Sequence, residues 1–207
     1  MKRISTKSIL LSLTLICALG LIISCENEKK EMKEEAAMTP EQMVARGKYL
    51  ATVGSCNDCH SPKVMTAMGP VPDTTKLLSG HPAGSPPPPL DTNALHPGYG
   101  YTMTPDITGF MGPWGISYAA NLSPDSATGI GAWTVENFMG ALRTGKHLGM
   151  QGGRPIAPPM PWPFVGQMTD DDLKSVFAYL KSLPAISNEV PSPIPPPDAM
   201  AMATAKK

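Results

Sequence analysis

Three stretches of the chain repeat apolar residues at helical spacing, and each carries its own start and stop signals. Met43, Gly47, Leu50 and Gly54 recur three and four residues apart, with Thr39 placed as an N-cap and Pro40 at the first helical position. A second predicted helix covers 135–144: Thr134 caps it, Val135, Phe138, Met139 and Leu142 share one face, and Gly145 stops it. A third begins after Thr169, where Asp170, Asp171 and Asp172 suit the positive end of the helix dipole. Leu173, Val176, Phe177 and Leu180 form its apolar stripe, and Pro184 closes it. Gly47 costs its helix about 1 kcal/mol relative to Ala, so its presence predicts a close crossing with another helix.

A fourth apolar run, residues 9–23, contains no charge and follows Lys2, Arg3 and Lys7. It is shorter than the roughly 20 residues a spanning helix needs and ends at Ser24, Cys25 and Glu26, which reads as a secretory signal over residues 1–24. Ile22-Ile23-Ser24-Cys25 resembles a bacterial lipobox, with Ile22 where Leu is usual, so Cys25 is the expected lipidation site. Acyl chains on that cysteine would make a lasting membrane anchor. Residues 25–38 are rich in Glu and Lys without apolar periodicity and read as a solvated tether. The whole chain balances 17 basic against 17 acidic residues, and loss of Lys2, Arg3 and Lys7 leaves a net charge of −3, which argues against nucleic-acid binding.

The remaining length suits one domain, over 39–191. Within it, residues 61–133 hold 12 of the 24 prolines and 10 of the 19 glycines, too much punctuation for regular elements, so an expanded loop is expected. Pro86 to Pro89 should adopt polyproline II. The less polar stretch around Trp114 either folds over a bound group or joins the core. Residues 192–207 are expected to form an extended, disordered tail.

Chemistry enters with the cysteines. Cys17 leaves with the signal and Cys25 is assigned to lipid, which leaves Cys56 and Cys59 in Cys56-Asn57-Asp58-Cys59-His60. This CxxCH spacing is that of covalent haem attachment: two thiols can meet two haem vinyl groups as thioethers while the adjacent imidazole reaches the iron. Export agrees, because outside the cytoplasm an unprotected thiol pair would tend to oxidise. A thioredoxin-like pair would need a βαβ context that the flanks do not offer. A structural zinc site would need more ligands at suitable spacing than His81, His96 and His147 supply.

The motif, the helices around it and several further segments resemble cytochrome c domains over about residues 42–191. Asn121-Leu122-Ser123-Pro124-Asp125, Thr128-Gly129-Ile130-Gly131-Ala132-Trp133-Thr134 and Ala141-Leu142-Arg143-Thr144-Gly145-Lys146 are similar to segments of cytochromes associated with periplasmic dehydrogenases. The resemblance implies an all-α fold around one haem c held by Cys56 and Cys59, with His60 as proximal ligand. It also calls for a methionine in an irregular loop before the last helix. Met160, in Pro158-Pro159-Met160-Pro161-Trp162-Pro163, fits because prolines stiffen the segment. Met168 adjoins the helix and should pack, Met150 lies in a Gly-rich stretch, and His147 is the alternative ligand, ahead of a vacant sixth position.

Pro70 resembles the family position whose carbonyl orients the proximal imidazole, or is a simple turn proline. His81 and His96 sit on loops, where solvent exposure is expected, although family-like Ser79-Gly80-His81-Pro82 could touch a haem edge. The implied function is one-electron transfer with no substrate bond made or broken. Its partners would be redox proteins: a periplasmic dehydrogenase, a terminal oxidase or another cytochrome. The competing readings are a haem enzyme or gas sensor with an open iron position and a haem-free dithiol protein.

Overall fold

The computed structural model describes residues 37–205. The signal (1–24), Cys25 and nearly all of the tether lie outside the described residues. Helix α1 (Pro40–Val53) opens with a reciprocal cap: the Thr39 hydroxyl accepts from the Gln42 N–H at 3.3 Å and the Gln42 side chain accepts from the Thr39 N–H at 2.8 Å. Both satisfy N–H groups that a helix start leaves without partners. Ser55, at φ 56°, then turns the chain into the five-residue helix α2 (Cys56–His60), a left-handed conformation that costs a residue bearing a Cβ about 1–2 kcal/mol.

Helix α3 (Val135–Thr144) is capped by Thr134 and Asn137 and ends at Gly145, whose φ of 67° favours glycine. After the short α4 (Trp162–Val165), α5 (Asp170–Ser182) starts where the Thr169 hydroxyl accepts from the Asp172 N–H at 3.1 Å. The two longest helices among the described residues, α1 and α5, cross backbone against backbone. A Cβ on Gly47 would lie 1.8 Å from the Ser175 carbonyl oxygen and 2.8 Å from Tyr179 Cβ. Leu50, Phe138, Leu142, Leu173, Val176 and Leu180 close the core, with Phe138 and Phe177 ring centres 5.4 Å apart. Arg46 to Asp172 at 2.8 Å and Arg143 to Asp170 at 2.6 Å tie α1 and α3 to the start of α5. Exposed pairs of this kind add at most about 1 kcal/mol each.

Between α2 and α3 the expectation of loops alone is corrected. Strands β1 (Lys63–Thr66) and β2 (Gly69–Pro72) form an antiparallel hairpin. Strands β3 (Thr102–Met103), β4 (Gly109–Gly112) and β5 (Gly115–Tyr118) form a second antiparallel sheet in that order, with Met111 opposite Ile116. All four β4 residues are buried. A strand covered on both faces shows no alternation, so its period cannot be read.

The tail is corrected as well. Ile194 pairs with Ile116, and residues Pro196–Ala205 form helix α6, which buries Ala199 in a second core with Leu95, Met111 and Ile116. Pro196 and Pro197 occupy the first turn, where no backbone donor is needed, and the alanines and methionines after them are good helix formers. The all-α class therefore describes the main core, while the sheets are confined to the insertion. Among the described residues no helix is long and apolar enough to cross a membrane.

His81, expected on the surface, is fully buried, whereas His96 is exposed. The His81 Nδ1–H donates to Thr108 Oγ1 at 2.8 Å, and that hydroxyl donates to Asp106 Oδ2 at 2.9 Å. The ring stacks on Tyr118 at 4.7 Å, and Nε2 has no partner among the described residues. Burial lowers the His81 pKa.

Two outcomes follow. Gly47→Ala gains helix propensity but drives a methyl into the Ser175 carbonyl, so net stability should fall by about 1–3 kcal/mol, read as a lower guanidinium midpoint. An unchanged midpoint would remove the close crossing. His81 stays neutral in the fold while the unfolded chain takes up a proton below about pH 6.5. Its share of stability is thus complete above that pH and is lost as pH falls through it toward the folded pKa. His81→Gln should flatten the decline of unfolding free energy below pH 6.5 by up to about 1.4 kcal/mol per pH unit, and parallel curves would clear His81.

Candidate haem site

The end of α1, all of α2 and the first residues after it hold the CxxCH side chains in place. Cys56 is half-buried and packs against the main core, and Cys59 lies three residues on along the same short helix, so both thiols ride on one rigid turn. Both are free cysteines. Burial raises the thiol of Cys56 to about 11 and pushes that of Cys59 upward too, with the neighbouring Asp58 adding to the effect. The pair is therefore held in the neutral form.

The His60 Nδ1–H donates to the Ala120 carbonyl at 2.8 Å. A carbonyl only accepts, so the proton is fixed on Nδ1 and the Nε2 lone pair is left for a metal. Burial lowers the His60 pKa and so favours the same neutral ring. The His60 backbone is held as well, since the Gly80 N–H donates to its carbonyl at 2.7 Å. The next amides along, from His81 to Ala119 at 2.9 Å and from Leu122 to Leu78 at 2.8 Å, lay the Leu78–His81 segment against residues 119–122. Gly80 is required there, with φ 79° and space so tight that a Cβ would meet the Ala119 carbonyl at 2.6 Å.

Ala120 thus holds the role that sequence comparison offered to Pro70. Pro70 instead lies exposed in β2, opposite Met65. A backbone carbonyl leaves no side-chain signature, so no residue type marked Ala120 in advance. Lys63 was also missed. Its ammonium donates to the carbonyls of Asn57 at 3.1 Å, Asp58 at 2.9 Å and Ser61 at 2.5 Å, closing the C-terminal end of α2 where the helix dipole is negative. A lysine three residues past a short helix was the available signal.

Met160 is half-buried and packs against the same core cluster as Cys56. Met168 packs there too, beside Gly54, while Met150 is exposed. His147 opens a 3-10 turn and sets its ring edge-on to Trp133 at 5.2 Å. Trp114 turns the β4–β5 hairpin and covers Gly112, with its Nε1–H donating to Ser117 Oγ at 3.0 Å. Among the described residues no group of three or more His, Cys, Asp or Glu gathers as a metal site would require. The donor set suits haem c: two neutral thiols on one turn, an imidazole with its proton fixed on the far nitrogen, and a thioether on the core they share.

The sequence is similar to those of known proteins. The chain is 28% identical over 139 residues to the cytochrome c subunit of a quinone alcohol dehydrogenase from Gluconobacter oxydans, covering 67% of this chain and 21% of that protein. It is 29% identical over 148 residues to a gluconate 2-dehydrogenase cytochrome c subunit from Pantoea cypripedii, covering 70% and 25%. It is 26% identical over 170 residues to a fructose dehydrogenase cytochrome subunit from Gluconobacter japonicus, covering 82% and 27%. The chain therefore spans about a quarter of the length of these curated relatives. A family model described as cytochrome c matches residues 44–184, from within α1 to just past α5, and the chain belongs to the cytochrome c family, whose cofactor is covalently bound haem c.

Proposed function

We propose that the protein is a membrane-anchored carrier of single electrons, with one haem c on Cys56 and Cys59, His60 as proximal ligand and Met160 as distal ligand. The observation that carries this reading is the His60 Nδ1–H bond to the Ala120 carbonyl, made at the end of the helix that bears both cysteines. It selects the tautomer with Nε2 free and aims the ring from behind. When bound, the haem would supply a reversible Fe(III)/Fe(II) couple that takes up or releases one electron, and a Met thioether ligand would raise its potential.

The chain's own residues do the rest. Cys56 and Cys59 fix the group to α2, Lys63 and Gly80 hold that helix end still, and the main core excludes water from one side. Burial keeps both thiols neutral, and each would hold a haem vinyl carbon as a thioether. The electron donor is a dehydrogenase and the acceptor a further redox protein, a reading supported by relatives that are cytochrome subunits of dehydrogenases. The uncharged run over residues 9–23 and Cys25 support export and a lipid anchor on the outer side of a bacterial membrane.

One mass measurement tests attachment and anchoring together. Protein extracted with detergent from a host that matures haem c should begin at Cys25 and be heavier by one haem plus acyl groups. Absence of the haem increment would return Cys56 and Cys59 to a dithiol role. For the distal ligand, Met160→Ala should abolish the far-red methionine-to-iron absorption band while covalent haem remains. A band that survives would reject Met160.

A further inference from the structure

The loop that carries Met160 is fastened at three points, and one of them lies in the insertion. Its first residues are pinned to the end of α3: the Ile156 N–H donates to the Gly145 carbonyl at 2.8 Å. Just past Met160 the chain enters α4, where the Trp162 ring covers Gly145 so closely that a Cβ on that glycine would lie 2.4 Å from it. Between these points Pro158, Pro159 and Pro161 have no backbone N–H, so the segment is tied chiefly through its carbonyls. The tie comes from β5. The Ser117 hydroxyl, 5% exposed, donates to the Pro158 carbonyl at 2.6 Å and accepts from the Trp114 Nε1–H at 3.0 Å. Pro159, with φ fixed, is the only residue between that carbonyl and Met160.

Strand β5 has its own backing. Successive residues of a strand face opposite ways, so Ile116 seats in the second core while Ser117 faces the loop. Ile116 and Ile194 exchange both backbone hydrogen bonds, at 2.8 and 2.9 Å. Gly115 makes room for this contact, since a Cβ there would lie 2.1 Å from the Ile194 carbonyl. Helix α6 then buries Ala199 in the same core.

We propose that the β4–β5 hairpin, backed by residues 194–205, is a clamp that holds Met160 on the iron, with Ser117 as its positioning residue. The proposal rests on the reading of Met160 as distal ligand. A thioether is a neutral, soft ligand on a flexible side chain, so its retention depends on how firmly the surrounding loop is held. Removing one well-formed hydrogen bond should shift the balance between bound and released Met160 by about threefold to tenfold.

The test uses the purified holoprotein in its ferric state, raising the pH while following the far-red band, with far-ultraviolet circular dichroism to separate ligand release from unfolding. Ser117→Ala should lose the band about 0.5–1 pH unit earlier than the wild type, at unchanged helix content, and its reduction potential should fall. Ile194→Pro, which removes the Ile194 N–H and touches neither Pro158 nor Met160, should move the midpoint in the same direction. It also decides the matter if Ser117→Ala yields no folded protein. A band that depends on Met160 yet keeps its wild-type midpoint in both variants would overturn the clamp alone. A band absent from the wild type, or surviving in Met160→Ala, would overturn the ligand reading and the clamp with it.

Discussion

At Gly47 the backbone of α1 lies directly on the Ser175 carbonyl of α5, and the placement of the site follows from that contact. Helices approach as closely as the side chains between them allow. With no Cβ at the crossing, α1 lies low enough on α5 for Leu50 and Ala51 to enter the core and for Cys56 to pack on it just beyond the helix end. Thr39 and Thr169 start the two helices with side-chain caps, and Arg46 reaches Asp172 across them. The ion pair is exposed and weak, so it aligns the pair more than it stabilises it.

From that platform His60 is held by backbone groups brought from far along the chain. Gly80 bonds its carbonyl and Ala120 its ring, and both belong to segments with no regular structure of their own. Asparagine amides take the place of a sheet there. The Asn188 side chain donates to the carbonyls of Ser79 at 2.7 Å and His81 at 2.8 Å, and the Asn121 side chain donates to that of Ile186 at 2.8 Å. The chain beyond α5 thereby locks the two segments that position the histidine. Buried carbonyls need such partners, and a long insertion can stay ordered only by supplying them.

What could be read from the sequence was what depends on near neighbours. Thr39, Thr134, Thr169 and Gly145 mark helix ends through contacts within four residues, and the CxxCH spacing is local by nature. Gly47 announced a crossing because a glycine in mid-helix needs a reason, though not which residue it meets. Burial of His81 could not be read, because Thr108 and Tyr118 reach it from distant positions. The Ala120 carbonyl has no side-chain identity at all. The tail looked disordered because its prolines resemble a linker, yet proline suits a first helical turn, and the small Ala199 is what fits under β5.

Burial acts on the three titratable donors of the site in the same sense. It lowers the pKa of His60 and raises those of Cys56 and Cys59, so the protein offers neutral ligands and neutral thiols. Lys63, beside α2, faces helix-end carbonyls that offset its charge, and its own pKa is lowered by burial. On the proposed reading such surroundings would disfavour the extra positive charge of oxidised iron, since charge in a low-dielectric interior is unfavourable unless paired. Burial and the proposed thioether would then act together to favour the reduced state. The proposed electron transfer makes and breaks no substrate bond, so the protein's remaining task on that reading would be to keep this environment alike in both oxidation states. A stiff proline loop, two cores and an insertion tied down by side-chain amides serve that task better than a mobile lid would.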